Sequence, residues 1–293
     1  MMYDHETWKR QKLVRLVLSV LMGLLGLVVM ELFSPAWADV VCGDTIGPHQ
    51  TVILQNDILD CKPDKDGWAL IVIGPATLNL NGHRVTHTTE DKYQKEIGIK
   101  VTGQNAKVLN GIVMGFKWGF FVEGDGNHLA QNTAAYNKKG FTVEGNRNML
   151  NGNRAFNNTS ENYQIPGDKN WLVNNDAYGG DEECFLIDGG NENWLLNNAA
   201  YVGGSGFVVQ GEDGTGPGGN YNKIWNCTAI GNAEVGILAG KDTEGNYIFN
   251  NKVSFNGLGV TPYGNDVQDN NLNCENNNWR KNNFETSNPD CIK

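Results

Sequence analysis

Short apolar runs recur along the chain at intervals near 22 residues, each closed by Asn or Gly. Aligned on Asn, seven copies begin at Asn105, Asn127, Asn148, Asn170, Asn193, Asn222 and Asn246, spaced 22, 21, 22, 23, 29 and 24 residues apart. Five residues on, a second column reads Asn110, Asn132, Asn153, Asn175, Asn198, Cys227 and Asn251. Each copy ends in an apolar run such as Gly119-Phe120-Phe121-Val122, Gly140-Phe141-Thr142-Val143 or Gly206-Phe207-Val208-Val209. A fixed period of this length means stacked units, none of which buries a face alone. Asn and Gly every few residues exclude helical repeats, and no run keeps the helical period. Each unit therefore reads as three short strands with three bends, stacking on the last at about 4.8 Å with parallel pairing.

The alternation of each strand sorts side chains in and out. Phe120, Phe141, Tyr163, Phe185, Phe207 and Ile237 form one inward stack. Leu129, Leu150, Leu172, Leu195, Ile224 and Ile248 form another, and Ala134, Ala155, Ala177, Ala200 and Ala229 a small-residue column. The Asn columns read as turn ladders whose amides satisfy bent backbone and one another. The residues after the first Asn column point outward: Ala106, His128, Met149, Trp171, Trp194, Lys223 and Tyr247, with Trp225 and Phe249 two positions on.

Composition supports an ordered, turn-rich chain. Of 293 residues, 40 are Asn and 37 are Gly, while 19% are charged and 10% aromatic, which excludes a disordered chain. The net charge of −10, with no run of Lys or Arg, argues against nucleic acid as a partner. Residues 1–38 read as a signal peptide. Lys9, Arg10, Lys12 and Arg15 precede an apolar stretch from Leu16 to Met30, and Ala36-Trp37-Ala38 suits signal peptidase. That stretch is short of the roughly 20 residues of a membrane span, so cleavage is favoured over a retained anchor. The segment carries four basic and three acidic residues, so its removal takes the net charge to −11. The expected organisation is a cap and first coil at 39–75, repeats over 76–270, and a C-terminal cap at 271–293.

Here the chain resembles the right-handed parallel β-helix proteins of the pectin-lyase-like class. It looks closest to the repeat of NosD-type and carbohydrate-binding or sugar-hydrolase modules. The residues that carry the resemblance are Ala76-Thr77-Leu78-Asn79-Leu80-Asn81-Gly82-His83, the Asn-x₄-Asn columns and the Gly-Phe-x-Val runs, over roughly residues 68–275. It implies an all-β, single-stranded right-handed parallel β-helix of about eight to nine coils. Such proteins include lyases, epimerases, hydrolases and non-catalytic members, so function must be argued from a site.

Export makes disulfides expected. Cys42 and Cys61 lie 19 residues apart, and Cys274 and Cys291 lie 17 apart, each close to one coil. Both pairs are predicted to staple an end of the array. Cys184 and Cys227 occupy different columns about two coils apart and should be free thiols.

Two outward features could carry chemistry. The aromatic row Trp171, Trp194, Trp225 and Tyr247 is too apolar to stand bare. It offers a platform for sugar rings, a dimer interface, or a seat for the chain's own tail. The acids Glu123, Glu144 and Asp188 share one column, where like charges invite calcium. Lys139, with Glu144 and Asp188, supplies the candidate catalytic groups, although no motif of the related hydrolases is matched. The expected function is an exported protein, secreted, periplasmic or at the cell surface, that binds or also processes a polysaccharide. If it is an enzyme, it is a lyase, an epimerase or a glycoside hydrolase. The competing expectation is a non-catalytic scaffold that self-associates through its aromatic face. A NosD-like role in metal maturation comes third, because His, Met and Cys are not clustered.

Overall fold

A computed structural model describes residues 39–63, 67–88, 96–214, 216–257, 264–271, 274, 276–290 and 292. The signal segment and Cys291 lie outside the described residues. Among the described residues, twenty-nine short strands, numbered β1–β29 in chain order, build three parallel sheets of eleven, ten and eight strands. We call these sheets I, II and III. One coil shows the plan: β12 (Lys139–Val143) lies in sheet I, β13 (Met149–Asn151) in sheet II and β14 (Arg154–Phe156) in sheet III. Eight such three-stranded coils run from Trp68 to Ser254, with partial coils at each end. The molecule is a right-handed parallel β-helix.

The core fills the tube between the sheets. Phe120, Phe141, Tyr163, Phe185 and Phe207 are fully buried. Their rings stack at 4.5–4.9 Å between centroids, within 8° of parallel. The Leu/Ile column from Leu129 to Ile248 and the Ala column from Ala134 to Ala229 are buried as the repeat register requires.

The Asn ladders hold the corners. Each ladder Asn accepts a backbone N–H from the coil before it, and most also donate to a carbonyl of that coil; the buried Nδ2 groups of Asn148 and Asn170 have no partner. Asn175 is typical: Oδ1 accepts from the Asn153 N–H at 2.9 Å, and Nδ2 donates to the Leu150 carbonyl at 3.0 Å. A third ladder at Asn137, Asn158, Asn232 and Asn256 closes the remaining corner. At the start of the array the register is one residue off the Asn alignment. Asn127 Oδ1 accepts from Ala106, and Asn132 Oδ1 from Gly111, rather than from Asn105 and Asn110. Asn105 (φ 62°) and Asn110 (φ 56°) instead take the left-handed corner position that precedes each ladder residue. Ala106 is consequently buried, and the outward column begins at Lys107, the register partner of His128.

Cys42 and Cys61 form the N-terminal staple, with Cα atoms 5.4 Å apart. Cys274 is disulfide-bonded. Cys184 and Cys227 are free and buried, and burial pushes each thiol up to about 12. They are inert packing residues.

Candidate functional site

The outer face of sheet I is where the structure departs from simple alternation. Thr142, Leu186 and Val208 point outward between inward neighbours, yet are only 2%, 4% and 3% exposed. They form the floor of a groove. Along one side run the turns that hold Glu161, Glu182 and Glu234. On the other, the coil of 29 residues between Asn193 and Asn222 makes an excursion at residues 211–214 and 216–217, including a 3₁₀ turn at Glu212–Gly214. The Asp213 N–H in that excursion donates to Asp188 Oδ1 at 3.1 Å.

This outer face runs over β12, β15 (Tyr163–Ile165), β18 (Glu183–Asp188), β21 (Ser205–Gln210), β24 (Val235–Ala239) and β27 (Asn265–Asp269). Six strands at roughly 4.8 Å spacing give a run of about 24 Å. A hollow of about 290 Å³ on this face is lined by Glu183, Ser205, Val208, Gln210, Glu234, Val235, Leu238 and Gln268. Two further hollows lie at the C-terminal end and adjoin residues outside the description.

A polar network lies along the groove. Lys139 Nζ reaches Glu161 Oε1 at 3.0 Å and Gln164 Oε1 at 2.8 Å. Gln164 Nε2 donates to Asp188 Oδ2 at 3.2 Å, and Gln210 Nε2 to Asp188 Oδ1 at 3.3 Å. Lys139 and Asp188, candidates from sequence, are thus joined through one amide. Glu161, Glu182 and Glu183 hold carboxylate oxygens within 4.8 Å of one another. Ser160 Oγ lies 2.5 Å from both Glu161 and Glu182, and Ser205 Oγ donates to Glu234 at 3.1 Å. Burial, then repulsion from Glu161, Glu182 and Glu234, raises the Glu183 carboxyl above its ordinary value. Glu183, Gln164 and Gln210 were not singled out from sequence as site residues. Only their columns were legible, because burial of an outward face depends on flanking turns.

The proposed calcium column is not gathered into one site. Glu123 pairs with Lys100 at 2.8 Å. Glu144 stands next to Glu123, and partial burial followed by that repulsion raises its carboxyl. Asp188 lies beyond the coil of Pro166, held by Gln164 and Gln210. Acids converge instead at Glu161, Glu182 and Glu183.

The aromatic row sits on the outer face of sheet II. Trp171, opening β16 (Trp171–Val173), and Trp225, closing β22 (Lys223–Trp225), are 43% and 39% exposed. Trp171 and Trp194 stack at 4.7 Å and 6°. Lys223 Nζ covers the far face of Trp194, 3.7 Å from its ring centre. Trp225 meets Phe249 edge-on, and Tyr247 stacks on Phe249 at 5.6 Å. The rings of Trp171 and Trp194 are turned to one another along the coil axis, so a sugar approaching that pair from outside meets ring edges.

Three parallel sheets around one core, with a groove over one wall, define a parallel β-helix protein with one furnished face. The NosD family model, described as periplasmic copper-binding protein, matches residues 66–216, more than half of the chain. The protein belongs to this family. No curated protein matches it. Among solved structures it is similar to the A-module of the Azotobacter vinelandii mannuronan C-5 epimerase AlgE6, with TM-score 0.56 and 14% identity over 84% of this chain and 80% of that one. The Dettilon tailspike protein gives TM-score 0.56 and 12% identity over 84% of this chain, which spans 55% of the tailspike. The periplasmic alginate epimerase AlgG gives 0.54 and 11%, over 85% and 70%. At these identities the likeness is one of fold.

Proposed function

We propose that the protein is an exported carbohydrate-binding β-helix that seats a polysaccharide chain along the groove of sheet I. The observation that carries this reading is the buried outward floor with its line of hydrogen-bonding side chains. A long cleft that mixes apolar floor with convergent amides, hydroxyls and charges suits a saccharide. Lys139, Gln164, Asp188 and Gln210 are the groups to hold sugar hydroxyls. Lys139 Nζ, already engaged by Glu161 and Gln164, acts as a donor to ligand rather than as a base. The Cys42–Cys61 disulfide and the N-terminal signal pattern support export. Two structural neighbours, the AlgE6 A-module and AlgG, are mannuronan and alginate epimerases, in keeping with a polysaccharide ligand.

Copper, named in the family's description, does not fit the described residues. Copper favours thioether, thiolate and imidazole donors. The free thiols are buried and inert, and the group of three acids offers only hard carboxylate oxygens. His128 and Met149 are register partners on sheet II, and they supply two donors at most.

A glycan array, read with and without calcium, tests the reading. Binding should fall at least tenfold in Lys139→Ala and Gln164→Ala, while Trp194→Ala leaves it unchanged. Binding that is insensitive to both groove variants would sink it. The exposed columns of Met149, Trp171 and Trp225 favour one second reading, self-association through sheet II. Sedimentation velocity should then show a dimer that Trp171→Ala converts to monomer.

A further inference from the structure

The groove has an uneven supply of donors and acceptors. Its named side chains include one cation, Lys139, against five carboxylates: Glu161, Glu182, Glu183, Asp188 and Glu234. Ionised carboxylates only accept hydrogen bonds. One lysine, two serine hydroxyls, two glutamine amides and the backbone N–H of Asp213 serve Glu161, Glu182, Asp188 and Glu234, and the single proton of Ser160 faces two carboxylates at 2.5 Å. On the floor beside Lys139 and Gln164, the buried Thr142 hydroxyl has no partner. It lies on the outward side of β12, in register with Gln164, and is sealed from solvent. An occupant that completes this site must bring positive charge and N–H donors.

Resting on the groove reading above, we propose that the saccharide it takes is an amine-bearing one, a polymer of hexosamine with free amino groups. Each ammonium carries three N–H donors and a charge, and charge-assisted bonds to carboxylates are the stronger kind. A uronate chain would bring carboxylates onto carboxylates, at a cost that an acidic protein of net charge −10 compounds. A neutral chain would leave the acceptor excess unmet. The hydroxyls of an amino sugar remain free to reach Gln164 and Gln210. The ladder of aromatic edges on sheet II has no part in this recognition.

Calorimetric titration of the full chain decides the matter with four probes: fully deacetylated glucosamine oligomers in β-1,4 and β-1,6 linkage, their N-acetylated counterparts, cello-oligosaccharide, and oligogalacturonate with and without calcium. The deacetylated oligomers should bind about tenfold or more tightly than the N-acetylated ones, and added salt should erode that margin. Glu183→Gln and Asp188→Asn should each reduce it severalfold, with melting curves confirming the fold. Glu192→Gln, whose carboxylate pairs with Lys169 away from the groove, should leave it intact. Equal affinity for acetylated and deacetylated oligomers, or tightest binding of oligogalacturonate, overturns the amine specificity and leaves the groove reading standing. No binding of any oligosaccharide, or binding indifferent to every groove variant, overturns both.

Discussion

Sheets I and II obey the same alternation and present opposite outer faces. On sheet I the outward Leu186 and Val208 are buried, and Glu183 and Glu234 line a hollow with Val208. On sheet II the outward Trp171 and Trp225 are exposed, with little above them. Alternation decides which way a side chain points, and the turns at either end of the strand decide whether it meets water. Most strands of sheet I run to five or six residues between protruding turns, β15 being three, whereas those of sheet II are three residues long between tight Asn corners. The two faces also differ in how they use stacking. Inside sheet I, a Phe/Tyr ladder is sealed from water. Outside sheet II, Trp171 and Trp194 repeat its spacing at 4.7 Å, in contact with solvent.

The largest effect should come from the sealed ladder. Phe185→Ala removes a ring stacked between Tyr163 and Phe207 and leaves a cavity beneath the groove floor. Chemical denaturation should show a loss of about 3–5 kcal/mol. A loss under about 1 kcal/mol would mean that the ladder does not support the groove.

Next comes the corner shared by sheets II and III. Asn175→Ala removes the acceptor of the Asn153 N–H and the donor to the Leu150 carbonyl, both buried. Each stranded group costs about 1–3 kcal/mol, so denaturation should show a loss of at least 2 kcal/mol or so. A neutral substitution would show that the ladder merely occupies the corner.

The coils, the inward stacks and two of the three ladders were legible because identical requirements recur every 21–24 residues. The third ladder has the same five-residue offset, from Asn132 to Asn137 and Asn153 to Asn158, but is broken by Gly180 and Gly203. A Cβ at Gly203 would lie 2.6 Å from Cys184 Sγ, so packing of the free thiol displaces the Asn there. The first copy misled because Asn105 and Asn110 sit one residue before the ladder, at a left-handed corner that Asn also favours. The groove was not legible. It depends on where turns rise and on the excursion at residues 211–214 and 216–217, neither of which repeats. The outward register of Trp171 and Trp194 was legible, but the consumption of their ring faces was not, since it follows from rotamers.

The open ladder should yield a smaller change than the sealed one. Trp194→Ala loses one stacked partner and the Lys223 cation–π contact, worth about 0.5–1.5 kcal/mol together at an exposed site. Cavity cost is absent because solvent fills the space. A loss comparable to that of Phe185→Ala would show that sheet II is covered in solution, by another copy or by the chain's own tail. Sedimentation of the same variant separates those two covers.

The smallest effect bears on why the charged face exists at all. Burial and three neighbouring carboxylates raise the Glu183 carboxyl in the folded protein. A carboxyl whose folded value lies above its unfolded value favours the fold while protonated, and that advantage is lost as pH rises through the folded value. At neutral pH the ionised Glu183 is therefore a net burden. Glu183→Gln keeps the shape and removes the charge, so it should stabilise at pH 7. After discounting for solvent screening the gain stays under about 1 kcal/mol, or about 1–3 °C in Tm. Below the ordinary carboxylate range, roughly pH 4, the gain should vanish because the wild-type side chain is already neutral. Melting curves at the two pH values check both halves. A stabilised variant that has also lost its glycan would mean that sheet I keeps its acids for binding at the expense of the fold. A variant destabilised at pH 7 would show that the charge is compensated within the protein, and the contrast with sheet II would shrink to one of exposure.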